Sequence, residues 1–449
     1  MWNPLLLILP LSWCFAQPLY SAPLTFQQAV EQALANHPAL RAGAAARKAA
    51  GSRVSEAQGA RLPRVDFMES WTRSNNQVFV FGSLLTQKQF GAANFEIAKL
   101  NGPGFLNNFQ SQLVVEQSVY DNGRRKWQIE AARLGEQMTA EQVRRLEMDV
   151  ISGVLRCYYG AHVAAQNVRL AEDAVRTAEA DLKRAEARLS AGMATEADAL
   201  AVRVHVAAMR ERSIRSRAEL EIAKAALNEA MGLPLDTQHD LTTPLTKAEV
   251  EPEVAGTLES EAASNQPVLR ELRLGAKAIE AQEKSARAAL LPEAYFRAGF
   301  EADRQEFVRK GGANFLVSAG VRWNLFDGNA NRARIDAAKH EQERTRQQEK
   351  ALESAMKLAV RRAWLEVGAA NERIEAVRAA TAMARESLRI IRNRYDAGLT
   401  DVTELLRAQT ALLETQTREL EALRDQRIAA VTLESARGRL SKDSMVVSR

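Results

Sequence analysis

The twelve prolines of this 449-residue chain fall at 4, 10, 18, 23, 38, 63, 103, 234, 244, 252, 267 and 292 and nowhere else. Two stretches, 104–233 and 293–449, therefore contain none. Proline removes a backbone donor and clashes with the preceding turn, so its absence permits very long helices there. The rest of the composition agrees. Only 6% of residues are aromatic and 26% are charged, while the apolar 46% comes heavily from alanine. That mix suits long helices packed side by side, not several compact cores.

The halves of the chain repeat. "ANHPAL" (35–40) matches "SNQPVL" (264–269), and "ARLPRVDF" (60–67) matches "ALLPEAYF" (289–296), both at a spacing of 229. "VYDNGRRKWQIEAAR" (119–133) matches "LFDGNANRARIDAAK" (325–339), and the glycine turn "SAGMATEADAL" (190–200) matches "DAGLTDVTELL" (396–406), both at 206. The first half thus carries 23 extra residues between Pro63 and Asp121. The expected organisation is a leader over 1–22, a first repeat over 23–231, a linker over 232–256 holding three of the prolines, a second repeat over 257–440 and a tail over 441–449.

Heptad steps run through both long stretches. Val168, Ala171, Val175, Ala178, Leu182, Ala185 and Leu189 alternate by three and four, as do Ile374, Val377, Thr381, Ala384, Leu388, Ile391 and Tyr395. This is a coiled-coil seam, with alanines that let helices approach closely. Past the glycine turns, Leu200, Ala207 and Ile214, and Leu406, Leu413 and Leu420, continue in sevens. Strand alternation occupies four places: 64–73, 112–121, 293–302 and 315–326. Glu69 and Gln117 interrupt the first two. Each is roughly ten residues, the length of a tilted membrane-spanning strand; soluble β-hairpins are the alternative.

Lengths complete the plan. One helix from Asp121 to Gly192 would span roughly 105 Å at 1.5 Å per residue. The flanking pieces Phe26–Ala60 and Met193–Met231 are each about half that, so two short helices stacked end to end match one long one. Leu258–Ala289 and Leu399–Leu440 do the same beside Asp327–Gly398. Each half reads half-length helix, strand, loop, strand, full-length helix, glycine turn, half-length helix. The strands are expected at one end of the rod and the glycine turns at the other. The longer loop, 74–111, is expected to fold over the strand end or to pack as a structured loop. Four strands cannot close a barrel, since closed membrane barrels begin at eight. An open edge in lipid leaves backbone groups unsatisfied, so the membrane reading demands several copies: two give eight strands, three give twelve.

The doubled plan, the "LFDGNANRARIDAAK" junction and the "RYDAGLTDVTELLRAQTALLETQ" turn resemble the TolC-like outer membrane efflux protein (outer membrane factor) family over about residues 24–440. The resemblance implies a mainly α fold with membrane β. Long coiled-coil hairpins and four strands per chain would form a homotrimer with a 12-stranded barrel in outer membrane lipid and a periplasmic α-barrel. It further implies docking to a periplasmic adaptor (membrane fusion) protein and an inner-membrane transporter. Adaptor contacts lie at the helical tips, here Arg188, Leu189, Ala191 and Gly192, with Arg394, Tyr395, Ala397 and Gly398. The best-known members carry acidic gate residues six and nine positions beyond the second tip glycine. Glu404 holds the sixth position, but Arg407 departs from the pattern at the ninth. Three Glu404 could form a negative ring, or Arg407 could pair with each of them as an ordinary i,i+3 surface pair. Asp401 and Asp198 are weaker candidates for the same mouth.

Other chemistry finds little support. The 61 basic and 56 acidic residues are interspersed, which argues against nucleic acid. His37, His162, His205, His239 and His340 are scattered without ligand spacing, so neither a metal nor another cofactor is expected. "NGPG" (101–104) lacks the Lys-Ser and helix of a phosphate cradle, and "NGRRK" (122–126) reads as helix-start polarity. No nucleophile–base pattern is visible, so an enzyme is not expected. Trp71, Tyr120, Trp323 and Phe326 near strand ends suit an interfacial belt. "MWNPLLLILPLSWCFAQPLYSAP" reads as an export signal, its apolar run too short to span a bilayer, with cleavage after Ala16 or Ala22. Trp13 argues against lipidation of Cys14. Cys157 then remains alone and reads as a buried helix residue. The expectation is a passive exit duct. The alternative, a periplasmic coiled-coil adaptor or scaffold, would need one hairpin and a β-rich domain rather than two equal hairpins.

Overall fold

The computed structural model describes residues 22–250 and 254–448. In chain order the elements are β1 (Ala22–Leu24), α1 (Phe26–Asn36), α2 (Pro38–Gly59), β2 (Arg64–Ser74), α3 (Gln77–Thr86), a 3-10 turn (Ala92–Phe95), α4 (Ile97–Asn101), β3 (Leu106–Tyr120), α5 (Arg124–Ser190) and α6 (Glu196–Met231). There follow β4 (His239–Leu241), α7 (Ala255–Asn265), α8 (Pro267–Ala288), β5 (Glu293–Arg304), β6 (Gly311–Arg322), α9 (Ala330–Asp396), α10 (Val402–Ala436) and α11 (Met445–Ser448). Helix lengths recur: α1 and α7 have 11 residues, α2 and α8 have 22, and α5 and α9 have 67. The leader expected over 1–22, Cys14 included, lies outside the described residues apart from Ala22, which opens β1.

Two compact units are distinguished. A helical unit takes the described residues of Met1–Ala42, Arg145–Gln266 and Met356–Arg449; a sheet unit takes Gly43–Arg144 and Pro267–Ala355.

In the helical unit, Phe26, Ile151, Leu155, Tyr158, Tyr159 and Met231 share a buried core. Tyr158 donates its hydroxyl to Leu24 O (2.8 Å) and accepts from Thr243 N (3.1 Å). It thereby ties α5 to the parallel β1–β4 pair. The expected linker is therefore partly structured: it contributes β4, and Gln426 of α10, wholly buried, grips Ala248 N and O at 2.8 and 2.9 Å. Cys157 is free and half-buried, and burial pushes its thiol up, which disfavours the nucleophilic thiolate.

The half-length helices differ from expectation. Over Phe26–Ala60 stand α1 and α2, broken at His37 and ending at Gly59, and over Leu258–Ala289 stand α7 and α8, broken at Gln266 and ending at Ala288. Pro38 and Pro267 each start a new helix, and a residue before proline is driven out of the α region, here to ψ of 125° and 123°. Gly232 and Gly438 end α6 and α10 with φ of +71° and +72°, and each presses on one of these breaks. A Cβ on Gly232 would lie 2.9 Å from Asn36 O, and one on Gly438 would lie 2.8 Å from Asn265 O.

The seam before each turn is buried at Ala171, Ala178 and Ala185, and at Ile374, Thr381 and Tyr395. After the first turn the expectation fails. Leu200, Ala207 and Ile214 are exposed, and the buried stripe is Ala199, Val202, Val206, Met209, Ser213 and Ser216. That stripe keeps the full 3-4 rhythm, whereas the expected residues sit about 100° round the helix from its first members. In α10, Leu413 is buried and Leu406 and Leu420 are half-buried.

The sheet unit holds the antiparallel order β2-β3-β5-β6. Rows of partners put Phe67, Leu113, Phe300 and Phe315 on one face, beside Val65, Val115, Ala298 and Val317. The other face carries Ser70, Gln110, Asp303 and Gly312, beside Met68, Gln112, Glu301 and Asn314. Glu69 interrupts the apolar face because it meets Ser111 and Arg304 there, the latter at 2.9 Å. Gln117 donates to Arg61 O at 2.8 Å beside a bulge. β3 begins at Leu106, before the expected 112, and β6 spans Gly311–Arg322 instead of 315–326. Trp323 and Phe326 thus follow the strand, and with Trp71 and Tyr120 they are exposed.

Candidate functional site

The two glycine turns are the same structure built twice, both within the helical unit. Gly192 and Gly398 adopt φ of +70° and +73°. The N–H of Gly192 bonds Leu189 O (3.0 Å), and that of Met193 bonds Arg188 O (2.8 Å). Gly398 to Tyr395 O (3.0 Å) and Leu399 to Arg394 O (2.8 Å) repeat the pattern. This helix stop satisfies terminal carbonyls and needs a left-handed residue, which glycine supplies without a Cβ penalty. Ala191 and Ala397 precede the glycines and are exposed.

The next helices start differently. Thr195 caps α6: its hydroxyl accepts from Asp198 N (3.2 Å), while the Asp198 carboxylate accepts from Thr195 N (3.0 Å) and its hydroxyl (2.8 Å). The backbone hydrogen bond from Thr195, then that from its hydroxyl, holds the Asp198 carboxyl below its usual range. Asp401 caps α10 by accepting from Glu404 N at 3.0 Å. Of the four acidic and basic mouth candidates, Asp401 is therefore a helix cap and Asp198 completes the capping box of Thr195. Glu404 and Arg407 form an exposed ion pair at 3.0 Å. Side chains used this way hold the turn's shape first.

The hairpins interlock. Arg188 lays its guanidinium over the Tyr395 ring at 4.5 Å and donates to Tyr395 O (3.1 Å) and Asp396 O (3.0 Å). Beneath the clamp, Ala185, Val202, Tyr395, Val402 and Leu405 share a small core. Arg394 holds the matching place in the second repeat but is exposed, and Leu189 is half-buried. The residues expected at the tips are thus divided: Arg188 and Tyr395 face each other, while the alanines, the glycines and Arg394 face outward. Two further residues stand out. Met193 and Leu399, matched at the 206 spacing, are 74% and 69% exposed immediately after the glycines. Their signal in the sequence is an apolar residue at the same place in both turns.

Farther along α5, buried Asp181 accepts from Gln409 of α10 at 2.6 Å, and His205 of α6 lies beside both. Burial lowers the His205 proton affinity, while the Asp181 charge and the Gln409 hydrogen bond oppose that shift. Among the described residues no group of three or more His, Cys, Asp or Glu could hold a metal.

The sequence profile of the outer membrane efflux protein family matches residues 29–233 and 258–439. Protein CyaE of Bordetella pertussis (strain Tohama I) is 28% identical over 441 residues, covering 94% of this chain and 85% of that one. Among solved structures, a membrane protein from Pseudomonas aeruginosa superposes with a TM-score of 0.78 at 20% identity, over 92% of this chain and 93% of that one. The open-state MtrE outer membrane channel of Neisseria gonorrhoeae gives 0.75 at 17%, over 93% and 90%.

Proposed function

This chain belongs to the outer membrane efflux protein family, and from that membership we propose that it is the passive exit duct of a tripartite efflux or type I secretion system. Its place in the outer membrane, with a long periplasmic helical part, and its role as a conduit and not an enzyme follow from the family. The observation that carries the duct is the sheet. Its Phe67–Leu113–Phe300–Phe315 face is apolar, with Phe67 at 68% and Phe315 at 80% exposed, and β2 and β6 are its edges. In lipid, unpaired edge N–H and C=O groups cost several kcal/mol each, so the edges must pair with other copies. Three copies close a barrel of twelve strands, apolar face outward and polar face toward the pore.

The paired tips then gather around one periplasmic mouth. Met193 and Leu399, with Arg394 and the exposed alanines, offer a surface for the periplasmic adaptor, which in turn meets an inner-membrane transporter. Glu404 and Arg407 face the mouth as three neutralised pairs. Planar-bilayer recording tests this reading. Purified protein in detergent should run as a heat-resistant trimer and conduct, and Arg407→Ala should raise cation preference by freeing three carboxylates. A soluble monomer that never conducts would sink the duct; unchanged selectivity in Arg407→Ala and Glu404→Ala would remove this pair from the mouth.

A further inference from the structure

Within the sheet unit, the segment between β2 and β3 is a packed piece with its own core. Phe81 and Phe90 meet edge-on at 4.8 Å, and Phe90 and Phe95 at 5.1 Å. Val80, Leu84 and Leu100 line a cavity of about 230 Å³ beside them. Asn76 caps α3 through Phe79 N at 3.1 Å. Short stretches join this piece to the strands: Asn75 and Asn76 on one side, Gly102–Phe105 on the other.

The far end of α3 then docks on the polar face of the sheet. Gln87 is 1% exposed, and its Nε2 donates to Asn108 Oδ1 and to Asn107 O, both at 2.9 Å. Asn108 Nδ2 donates onward to Asp303 Oδ1 at 2.6 Å, and Asp303 is likewise 1% exposed. Gln89 adds a bond to Lys310 O. β6 makes room at Gly312, where a Cβ would lie 2.6 Å from Lys88 Cγ and 2.8 Å from Thr86 O.

A glutamine is seldom taken wholly out of water unless its amide is paired, and here the pairing runs through one short polar chain. A piece that carries its own core and is held by this short chain and the Gln89 bond to Lys310 O can leave as a body, after which water satisfies Gln87 and Asp303. We infer that α3 is a built-in lid on the pore-facing side of the sheet, at its β5–β6 hairpin end, held shut by a Gln87–Asn108–Asp303 latch that excludes bulky hydrophilic solutes. The inference rests on the exit-duct reading, which makes the polar face the pore wall.

Cysteine labelling on intact cells tests it, in a Cys157→Ser background. Ser318→Cys puts a thiol on the polar face and Val317→Cys puts one on the apolar face. With the lid shut, a small hydrophilic methanethiosulfonate should label Ser318→Cys while a long polyethylene glycol maleimide labels it slowly. Gln87→Ala cuts the latch from the lid side, and Gly312→Leu lifts the same end from the wall side. In both, as heat-resistant trimers, maleimide labelling should speed up. Equal maleimide rates in the parent and both variants would overturn the lid and leave the duct standing. If the small reagent labels Val317→Cys and not Ser318→Cys, the pore wall is misassigned, and the duct reading falls together with the lid.

Discussion

Replacing Arg188 by alanine should loosen the periplasmic mouth. The side chain makes one cation–π contact at 4.5 Å and two hydrogen bonds to backbone carbonyls at 3.1 and 3.0 Å, all onto the end of α9. A partly exposed cation–π contact is worth about 0.5–1 kcal/mol. Charged hydrogen bonds reach about 1.5–3 kcal/mol each when buried, and water at this site cuts each to about 1 kcal/mol or less. Losing all three removes roughly 2 kcal/mol of attraction between the hairpins, about a thirtyfold change in the balance of closed and open tips. Single-channel recording in planar bilayers reads it: Arg188→Ala should spend far more time in high-conductance states than the parent. Arg188→Lys keeps the charge but not the planar fork, so it should fall between them. Arg394→Ala, its exposed counterpart, is the control and should behave like the parent. If Arg188→Ala gates like the parent while Arg394→Ala opens, the clamp is not what holds the tips.

Glycine substitutions separate two effects. Gly398→Ala meets only the left-handed backbone, with nothing within 4 Å, and should cost about 1–2 kcal/mol. Gly438→Ala adds contacts of 2.8 Å to Asn265 backbone, so its thermal midpoint should fall further; equal losses would refute the close approach. Gln426→Leu strands Ala248 N and O in the helical unit and should cost about 1–3 kcal/mol for each group, measured by denaturant unfolding. His162, His205 and His239 all have proton affinities lowered by burial. Each therefore contributes stability that is fully present above the ordinary histidine range and lost as pH falls through about 6.5 toward the folded value. The thermal midpoint should drop on mild acidification, and His205→Gln should flatten the drop; a midpoint that rises would reverse the assignment.

The proline-free runs, the 3-4 heptads and the spacings of 206 and 229 determined the helices, the strands and their order, because those patterns are local and periodic. The glycine turns were legible for the same reason: a left-handed stop between two helices needs glycine at one place. Pro38 and Pro267 were visible too, yet the breaks before them became meaningful only when Gly232 and Gly438 were found pressed against them. What the tertiary structure alone decided were choices among equals. Leu200, Ala207 and Ile214 are as apolar as the true stripe, and only packing selects which side of α6 is buried. Asp198, Asp401, Glu404 and Arg407 were all candidates for the mouth, the two aspartates the weaker ones, but hydrogen-bond geometry makes Asp401 a cap, puts Asp198 in a capping box and joins the other two as an ion pair. Arg188 and Arg394 are repeat equivalents, and whether each is laid on a ring, as Arg188 is on Tyr395, or left exposed, as Arg394 is, depends on how one hairpin meets the other. Gln87 carried no signal at all, because its burial comes from strands 20 and more than 200 residues away. Local periodicity is written along the chain, whereas the choice among chemically similar side chains is made only when distant segments meet.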